Sequence, residues 1–449
     1  MHFITISDYL LLPIYLVIIY VIANNFKNRH YPPGHPWRKY FMPALNVKIY
    51  GAIFIGLVYQ YYYGGGDTAN YFKQSVVINE AFLDNPYKGI MLILHIPDSY
   101  DPDLQLYLSR LKWYNAKNNF FVIAVGGLAN TFTFATFLPT SVLFACLCFS
   151  GMWAMFRTFA VQYPMYVRQI AVAVLFIPSC FIWGSGIFKD TLCMFSLGWL
   201  TYAVFQVLVQ RNLKISNLVV AVASFLTVVL VKIYIILSFL PALGLWVVFM
   251  YSHKIKSSVL RFFMKMSLVA ATILGFYLLS DKFAADLGGY SLDKIVETAE
   301  VTRDYILRRS GDEGSGYDIG IIDPSLFGML KVFPKALTIA LYGPFLWQAK
   351  KVFVLMNSLE ATLFLLLSIR ILLRLGLKRV WTTISGDPNI QFFLVFTLIF
   401  GFAVGLTSGN YGALSRYRIP CLPMFGLALL LIYYKGRKDA RMLLPILKF

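Results

Sequence analysis

Residues 215–250 read ISNLVVAVASFLTVVLVKIYIILSFLPALGLWVVFM, and Lys232 is the single charged residue in that stretch. A run of about 20 apolar residues is long enough to cross the hydrocarbon core of a bilayer as a helix. This run is nearly twice that length. We therefore predict two membrane-crossing helices, at 215–231 and 234–250, that meet in a turn around Lys232.

Comparable apolar stretches recur along the whole chain. Of the 449 residues, 59% are hydrophobic and only 14% are charged, which is too little charge to cover the surface of a water-soluble protein of this size. We predict an all-α fold, a polytopic transmembrane helix bundle of about eleven helices that forms a single membrane domain over 1–449. The predicted helices lie at 8–24, 43–63, 134–156, 166–184, 190–210, 215–231, 234–250, 262–280, 351–372, 389–408 and 418–434.

The net charge of +19 is unevenly distributed. Every second turn between the predicted helices is basic. These turns hold 21 of the 40 lysines and arginines but only two acidic residues, Asp387 and Asp439. Because basic loops stay on the cytoplasmic side, we predict a multi-pass protein of the cell inner membrane with a periplasmic N-terminus and a cytoplasmic C-terminus. This placement explains the charge without nucleic acid as a partner, and it lets the basic loops contact membrane lipids.

Two long segments, 64–139 and 281–350, fall on the predicted periplasmic side. Both mix apolar positions at helical spacing with charged residues and glycines. This pattern is typical of short amphipathic helices that lie on the membrane surface, and Trp347 suits the headgroup level. We therefore predict two long periplasmic loops with interfacial helices.

The first candidate site is the sequence Gly64-Gly65-Gly66-Asp67-Thr68, directly after the second predicted helix. Consecutive glycines let a backbone turn tightly and approach a ligand closely. A carboxylate at the edge of a low-dielectric region can act as a general base or bind a metal. We predict Asp67 as the catalytic base or as a ligand for a divalent cation such as Mg or Mn, with Thr68 and Tyr71 in contact with substrate. The alternative is that Asp67 caps the next helix.

Two further candidates are turns on the same predicted side. Lys189 and Asp190 stand in FIWGSGIFKDTL, residues 181–192, and Lys232 interrupts the apolar run quoted above. The amines of Lys189 and Lys232 suit a phosphate group of a substrate, and we predict that Asp190 contacts the substrate with them. The alternatives are that Lys189 and Asp190 cap a helix and pair with each other, and that Lys232 extends its amine to the membrane surface.

Arginines on this side oppose the charge bias of the chain. Arg416 and Arg418 stand in SGNYGALSRYRIP, residues 408–420, and Arg303 stands in the second long loop. A guanidinium offers a planar fork for phosphate oxygens, so we predict substrate contacts for all three. The alternative for Arg416 and Arg418 is an ion pair with an acidic side chain of the same side. Glu360 falls inside a predicted helix, where a charge is costly, so it is expected to face the bundle or the outer interface.

These features resemble the GT-C superfamily of integral membrane glycosyltransferases. Asp67 in GGGDTANY matches the essential aspartate of that family's first outer loop, and SRYRIPCLPMF resembles its arginine-rich turn before a late helix. The resemblance implies transfer of a sugar from a polyprenyl-phosphate-linked donor to a glycan or lipid acceptor in cell-envelope assembly. In two respects the chain departs from the family. A second helix precedes the aspartate, and the usual acidic pair is reduced to Asp67 beside Thr68.

A second resemblance is to the exopolysaccharide and O-antigen polymerases, carried by GGGDTANYF at 64–72 and YVRQIAVAV at 166–174. It implies transfer of a whole repeat unit from a polyprenyl-diphosphate glycan. A lipid or solute transporter is the alternative from another class, and its expected marks are discontinuous helices and charges at mid-membrane in two related halves. A purely structural membrane subunit also fits the composition.

Overall fold

The computed structural model describes residues 2–96, 101–252, 326–349 and 351–437, together with the isolated positions 257, 259, 260, 263, 267, 301, 316, 317, 319 and 320. Within these residues the chain is helical and has no strand, which confirms the predicted all-α class. The helices are α1 (Ile6–His30), α2 (Arg38–Tyr61), α3 (Asp67–Asp84), α4 (Pro86–Ile93), α5 (Gln105–Leu108), α6 (Lys117–Thr133), α7 (Phe137–Gln162), α8 (Val167–Leu175), α9 (Pro178–Trp183), α10 (Lys189–Val204), α11 (Ile215–Ser252), α12 (Leu326–Tyr342), α13 (Val352–Leu375), α14 (Leu377–Ser385), α15 (Pro388–Thr407), α16 (Tyr411–Tyr417) and α17 (Leu422–Gly436).

Seven of the described helices are long and apolar enough to cross a membrane, which identifies a multi-pass membrane protein. They are α1, α2, α7, α10 with its π-helical continuation to Val209, α11, α13 and α15. The pair α16 and α17, bent by 72° at the residues between them, brings the number to eight if it forms one span.

The predicted count of about eleven helices is not confirmed. The stretch 166–184 forms two short helices, α8 and α9, instead of one span. The stretches 215–231 and 234–250 are joined in α11, although Lys232 has non-helical backbone angles, φ −151° and ψ 83°. The helix predicted at 262–280 lies outside the described residues except for 263 and 267.

The chain divides into two compact units. The first comprises Met1–Val167, Cys180–Val207 and Asn212–Lys232, and the second comprises Arg168–Ser179, Leu208–Arg211 and Ile233–Phe449.

The first unit is built around α7, which packs on α2 and α10. At the α7–α10 crossing, a Cβ on Gly198 would collide with the carbonyl oxygen of Gly151, and a Cβ on Gly151 would collide with that of Phe195. Small residues allow this close backbone approach, which gives membrane helices their packing attraction. The loop predicted at 64–139 contains α3, which packs on α6 with ten buried residues.

The second unit is built around α15, which packs on α17 and α12. Gly405 of α15 lies against the backbone of Ala336 in α12. Of the loop predicted at 281–350, the structure describes mainly α12 and the turn that follows it. The interfacial position of helices in both loops remains a prediction.

Candidate functional site

The turn before Asp67 contains three glycines in succession, all with positive φ angles. Gly64, Gly65 and Gly66 have φ angles of 67°, 146° and 130°, which residues with a Cβ rarely adopt. The amide of Gly65 donates to the carbonyl oxygen of Tyr59 at 2.9 Å. A Cβ on Gly66 would lie 2.7 Å from the Tyr59 ring. The close turn that the sequence predicts is therefore present, and it is pressed against Tyr59.

Asp67 is the first residue of α3 and is partly exposed. Gly66 holds the capping position, and it has no side chain with which to cap the helix. Asp67 therefore does not stand at the capping position that the alternative assigned to it. A carboxylate in the first helical turn is stabilised by the partial positive charge of the helix N-terminus, and its partial exposure leaves it accessible to a reactant.

Thr68 and Tyr71 are both buried. The Tyr71 hydroxyl donates to Oδ1 of Asn119 at 2.8 Å, and its ring centroid lies 5.0 Å from that of Trp113. Tyr71 thus joins α3 to α6. Oγ1 of Thr68 is buried and has no hydrogen-bond partner, which is costly for a hydroxyl. The substrate contacts predicted for both residues remain predictions.

Lys189 lies in the second candidate turn, residues 181–192. It is the first residue of α10, partly exposed, and follows the capping residue Phe188. The Phe188 ring centroid lies 5.5 Å from that of Tyr59, the same ring that contacts Gly66. Tyr59 therefore contacts the residue before Asp67 and the residue before Lys189. The structure brings these two turns, more than 120 residues apart in the chain, into one neighbourhood at the N-termini of α3 and α10.

Asp190 and Lys232 form a buried ion pair. Nζ of Lys232 donates to Oδ1 of Asp190, and the side chains are 7% and 0% exposed. Asp190 lies in the first turn of α10, and Lys232 lies at the break in α11. Either charge alone would be costly to bury, so each of the two side chains depends on the other for its place in the interior. Asp190 therefore has Lys232 as an ion-pair partner, and the alternative in which Asp190 also pairs with Lys189 stays a prediction.

Lys48 is a buried cation that the sequence analysis missed. It lies in α2, is 3% exposed, and donates to the carbonyl oxygens of Cys180 at 2.8 Å and Gly184 at 3.0 Å. Its third hydrogen bond goes to Sγ of Cys148 at 3.2 Å. The two carbonyls lie at the C-terminal end of α9, where a cation complements the helix dipole. Its only sequence signal was a lysine inside a predicted membrane helix.

In the second unit, Arg418 is fully buried. Nη1 donates to the carbonyl oxygens of Gly343 at 2.5 Å and Ala340 at 3.2 Å, and Nη2 lies 3.5 Å from Oε1 of Glu360. Glu360 also accepts from the amide and hydroxyl of Ser179, at 2.8 and 2.6 Å. Because Arg418 is fully buried among these partners, they support a structural role for it. The substrate contact predicted for Arg418 stays a prediction. Glu360 faces the protein interior, which is the first of the two positions expected for it, the bundle and the outer interface.

Arg416 differs from Arg418 because it is partly exposed. It lies in α16, whose N-terminus is capped by the side chain of Asn410. Arg416 therefore remains the candidate for a phosphate contact in the second unit. Arg303 lies outside the described residues.

A metal site receives little support from the described side chains. Among them, no group of three or more histidines, cysteines, aspartates or glutamates could hold a metal ion. Asp67 alone does not supply the oxygen ligands that Mg²⁺ takes from protein and substrate together. The divalent cation at Asp67 therefore stays a prediction.

No family model, curated protein or solved structure matches this chain.

Proposed function

We propose that the chain is a membrane glycosyltransferase that moves a sugar from a polyprenyl-phosphate-linked donor to a glycan or lipid acceptor at the periplasmic face of the cell inner membrane. The observation that supports this proposal most is the neighbourhood around Tyr59. There a partly exposed carboxylate, Asp67, and a partly exposed amine, Lys189, each begin a helix. The chemistry needs one group of each kind, a base for the acceptor and a cation for the phosphate.

In the proposed reaction, the Asp67 carboxylate takes the proton of an acceptor hydroxyl. The hydroxyl oxygen then forms a bond to the anomeric carbon of the sugar. The bond from that carbon to the phosphate oxygen breaks, and the polyprenyl phosphate leaves with the electron pair. Lys189, at the N-terminus of α10, would stabilise the leaving phosphate, because helix N-termini and amines both favour anions.

The remaining cations take different parts in this proposal. Arg416 of the second unit is partly exposed, and its phosphate contact stays a prediction that the step above does not use. Lys232 pairs with Asp190 in the first unit and Arg418 pairs with Glu360 in the second, so each pair stabilises its own unit. No step is assigned to a metal.

The test compares Asp67→Asn with Asp84→Asn in the purified full-length protein. Asp84 ends α3, is exposed, and pairs with Lys88 at 2.7 Å, so its substitution removes one carboxylate from the same helix far from the glycine turn. The measurement is release of polyprenyl phosphate, by mass spectrometry, from a panel of polyprenyl-phosphate hexoses and pentoses. We expect Asp67→Asn to lower the rate by about 100-fold or more, the range for loss of a general base, and Asp84→Asn to keep it.

Full activity of a folded Asp67→Asn protein would contradict the assignment. Release of polyprenyl diphosphate, with products that lengthen by whole repeat units, would instead identify the polymerase alternative.

A transporter is the second candidate, and one observation favours it. The described helices include an interruption at Lys232 in α11 and a 72° bend between α16 and α17. Discontinuous helices of this kind carry substrate sites in many transporters. Movement of a fluorescent polyprenyl-phosphate analogue across proteoliposomes, with no sugar released, would support this reading over the enzyme.

A further inference from the structure

The second unit contains a cavity of about 630 Å³ that the proposed reaction does not use. The aromatic part of its wall is formed by Tyr317, Phe345 and Tyr411, and its polar groups come from Lys335, Thr338 and Gln348. Its volume is that of a pocket for a small ligand or a headgroup.

The cavity carries a positive charge that the described protein does not neutralise. Lys335 and Thr338 lie about one turn apart on α12, and both are exposed. Among the described residues that line the cavity there is no aspartate or glutamate. Within the described residues no carboxylate forms an ion pair with Lys335. An amine in this position attracts an anion.

The opposite wall is fixed in place and supplies further polar groups. Oε1 of Gln348 accepts from the amide of Phe345 at 3.0 Å, and the Gln348 side chain also hydrogen-bonds to Tyr411. The Tyr317 hydroxyl donates to the carbonyl oxygen of Gly405 at 2.9 Å, and its ring centroid lies 4.9 Å from that of Tyr411. A wall held in this way loses little entropy when a ligand binds.

The cavity lies beside a surface that suits the membrane boundary. Trp347 is 81% exposed, and its ring stacks on Phe345 of the cavity wall with centroids 4.9 Å apart. The next helix, α13, is a candidate membrane span whose first turns expose Val352 and Leu359. Exposed tryptophan beside an apolar helix is typical of the level of lipid headgroups.

We propose that this cavity binds the phosphate of an anionic membrane lipid. The Lys335 amine contacts the phosphate, the hydroxyl of Thr338 donates to its oxygens, and the lipid tails lie along the exposed apolar side of α13. Basic pockets at the ends of membrane helices bind lipid headgroups by this combination of charge and apolar surface. The site does not depend on the proposed transfer reaction, because it shares no residue with the Asp67 and Lys189 turns.

The test uses native mass spectrometry on the purified full-length protein in a neutral detergent. Phosphatidylglycerol and an isoprenyl phosphate are titrated separately, phosphatidylcholine is the lipid with no net charge, and inorganic phosphate is the ligand without a tail. Lys335→Gln is compared with Lys331→Gln, which removes an exposed lysine one turn earlier on α12 that does not line the cavity. Tyr411→Phe removes the hydroxyl that hydrogen-bonds to Gln348 and keeps the ring.

We expect Lys335→Gln to weaken binding of at least one of the two anionic lipids about fivefold, the equivalent of roughly 1 kcal/mol for one lysine at a lipid surface. Lys331→Gln should bind as the wild type does, and Tyr411→Phe should lie between the two. The lipid whose binding is weakened by Lys335→Gln shows whether the site takes a lipid with the tails of phosphatidylglycerol or with an isoprenyl tail. Equal losses for Lys331→Gln and Lys335→Gln, or no loss for either, would overturn the site. Binding of inorganic phosphate through Lys335 without binding of either lipid would overturn the lipid assignment.

Discussion

Nη2 of Arg418 lies 3.5 Å from Oε1 of Glu360, and the two side chains are 0% and 6% exposed. The pair stands in the second unit, where Arg418 also binds the carbonyls of Ala340 and Gly343 at the end of α12. The turn after Gly343 carries Phe345 and Gln348, which line the cavity. The ion pair therefore fixes the position of one cavity wall.

Loss of one partner of this pair is expected to destabilise the protein strongly. Glu360→Gln leaves the Arg418 charge uncompensated in the interior, a change that costs about 3–5 kcal/mol. Thermal unfolding in detergent measures the effect. The control is Glu80→Gln, which breaks an exposed pair with Arg110 worth about 0–1 kcal/mol. Similar unfolding temperatures for the two variants would show that the Arg418 charge is not confined to the interior.

The Asp190–Lys232 pair is expected to behave as a unit. Asp190→Leu or Lys232→Met alone leaves one buried charge without its partner, so each should lower the free energy of unfolding by about 3–5 kcal/mol. The double variant Asp190→Leu with Lys232→Met removes both charges and should recover most of that loss. Denaturant titration of the four proteins gives the coupling energy. Additive losses would contradict the pairing.

The crossing of α7 and α10 depends on Gly198. Gly198→Ala places a methyl group against the backbone of Gly151, which cannot move away without separating the helices. We expect a loss of about 1–3 kcal/mol, as for overpacked cores. Gly401→Ala, in α15, is the matched control, because its methyl group meets side chains and no backbone: the flexible end of Leu337 at 3.1 Å, with Leu341 and Ala340 at 3.7 and 4.0 Å. If both variants unfold at the wild-type temperature, the helices are not in close contact at Gly198.

The glycine turn offers a comparison between two adjacent positions. Gly66→Ala puts a methyl group against the Tyr59 ring at a φ of 130°, so it should displace Asp67 and abolish transfer. Gly64→Ala meets nothing within 4 Å, and its φ of 67° is a left-handed helical value that costs alanine about 1 kcal/mol. Sugar release should therefore survive in the Gly64 variant. The reverse order of activities would argue against a role for the Tyr59 contact.

Acidification should loosen α5 from α3. Lys88 and, to a smaller extent, Tyr107 donate hydrogen bonds to Asp84 and lower the pKa of its carboxyl group below the usual range. The stabilisation is therefore complete above the ordinary aspartate pKa and is lost as the pH falls through the lowered value. The protection factors of Gln105–Leu108, which are exchange rates relative to the unstructured chain at the same pH, should fall below that value, and Asp84→Asn should remove this dependence. The same loss of protection at the same pH in Asp84→Asn would assign it to another group.

The sequence predicted the helices that are long, apolar and bounded by polar residues. The stretches 43–63, 134–156 and 389–408 correspond to α2, α7 and α15 with ends shifted by a few residues. The interruption at Lys232 was also predictable, because it is the one charge in an apolar run. The stretch 166–184 was wrong as a single span. Pro178 begins a new helix there, and a proline amide cannot donate the hydrogen bond that would continue the first helix.

The partners of the buried charges could not be predicted. Asp190 and Lys232 are 42 residues apart, and Glu360 lies 181 residues from Ser179. Periodicity indicates which face of a helix is buried but not which distant helix it meets. Lys48 was the hardest case, because its described acceptors are two backbone carbonyls and a sulfur atom, which leave no signature in the sequence.

Asp8 is the only buried residue of α1. Its Oδ1 accepts from the amide of Leu138 at 2.7 Å, 130 residues further along the chain. While the ribosome is still making the first hundred residues, that amide does not exist. The contact that buries the Asp8 carboxylate can therefore form only after the chain has been made as far as α7, whereas the hydrogen bond of Tyr20 to Asn46, at 2.9 Å, needs only the first two helices.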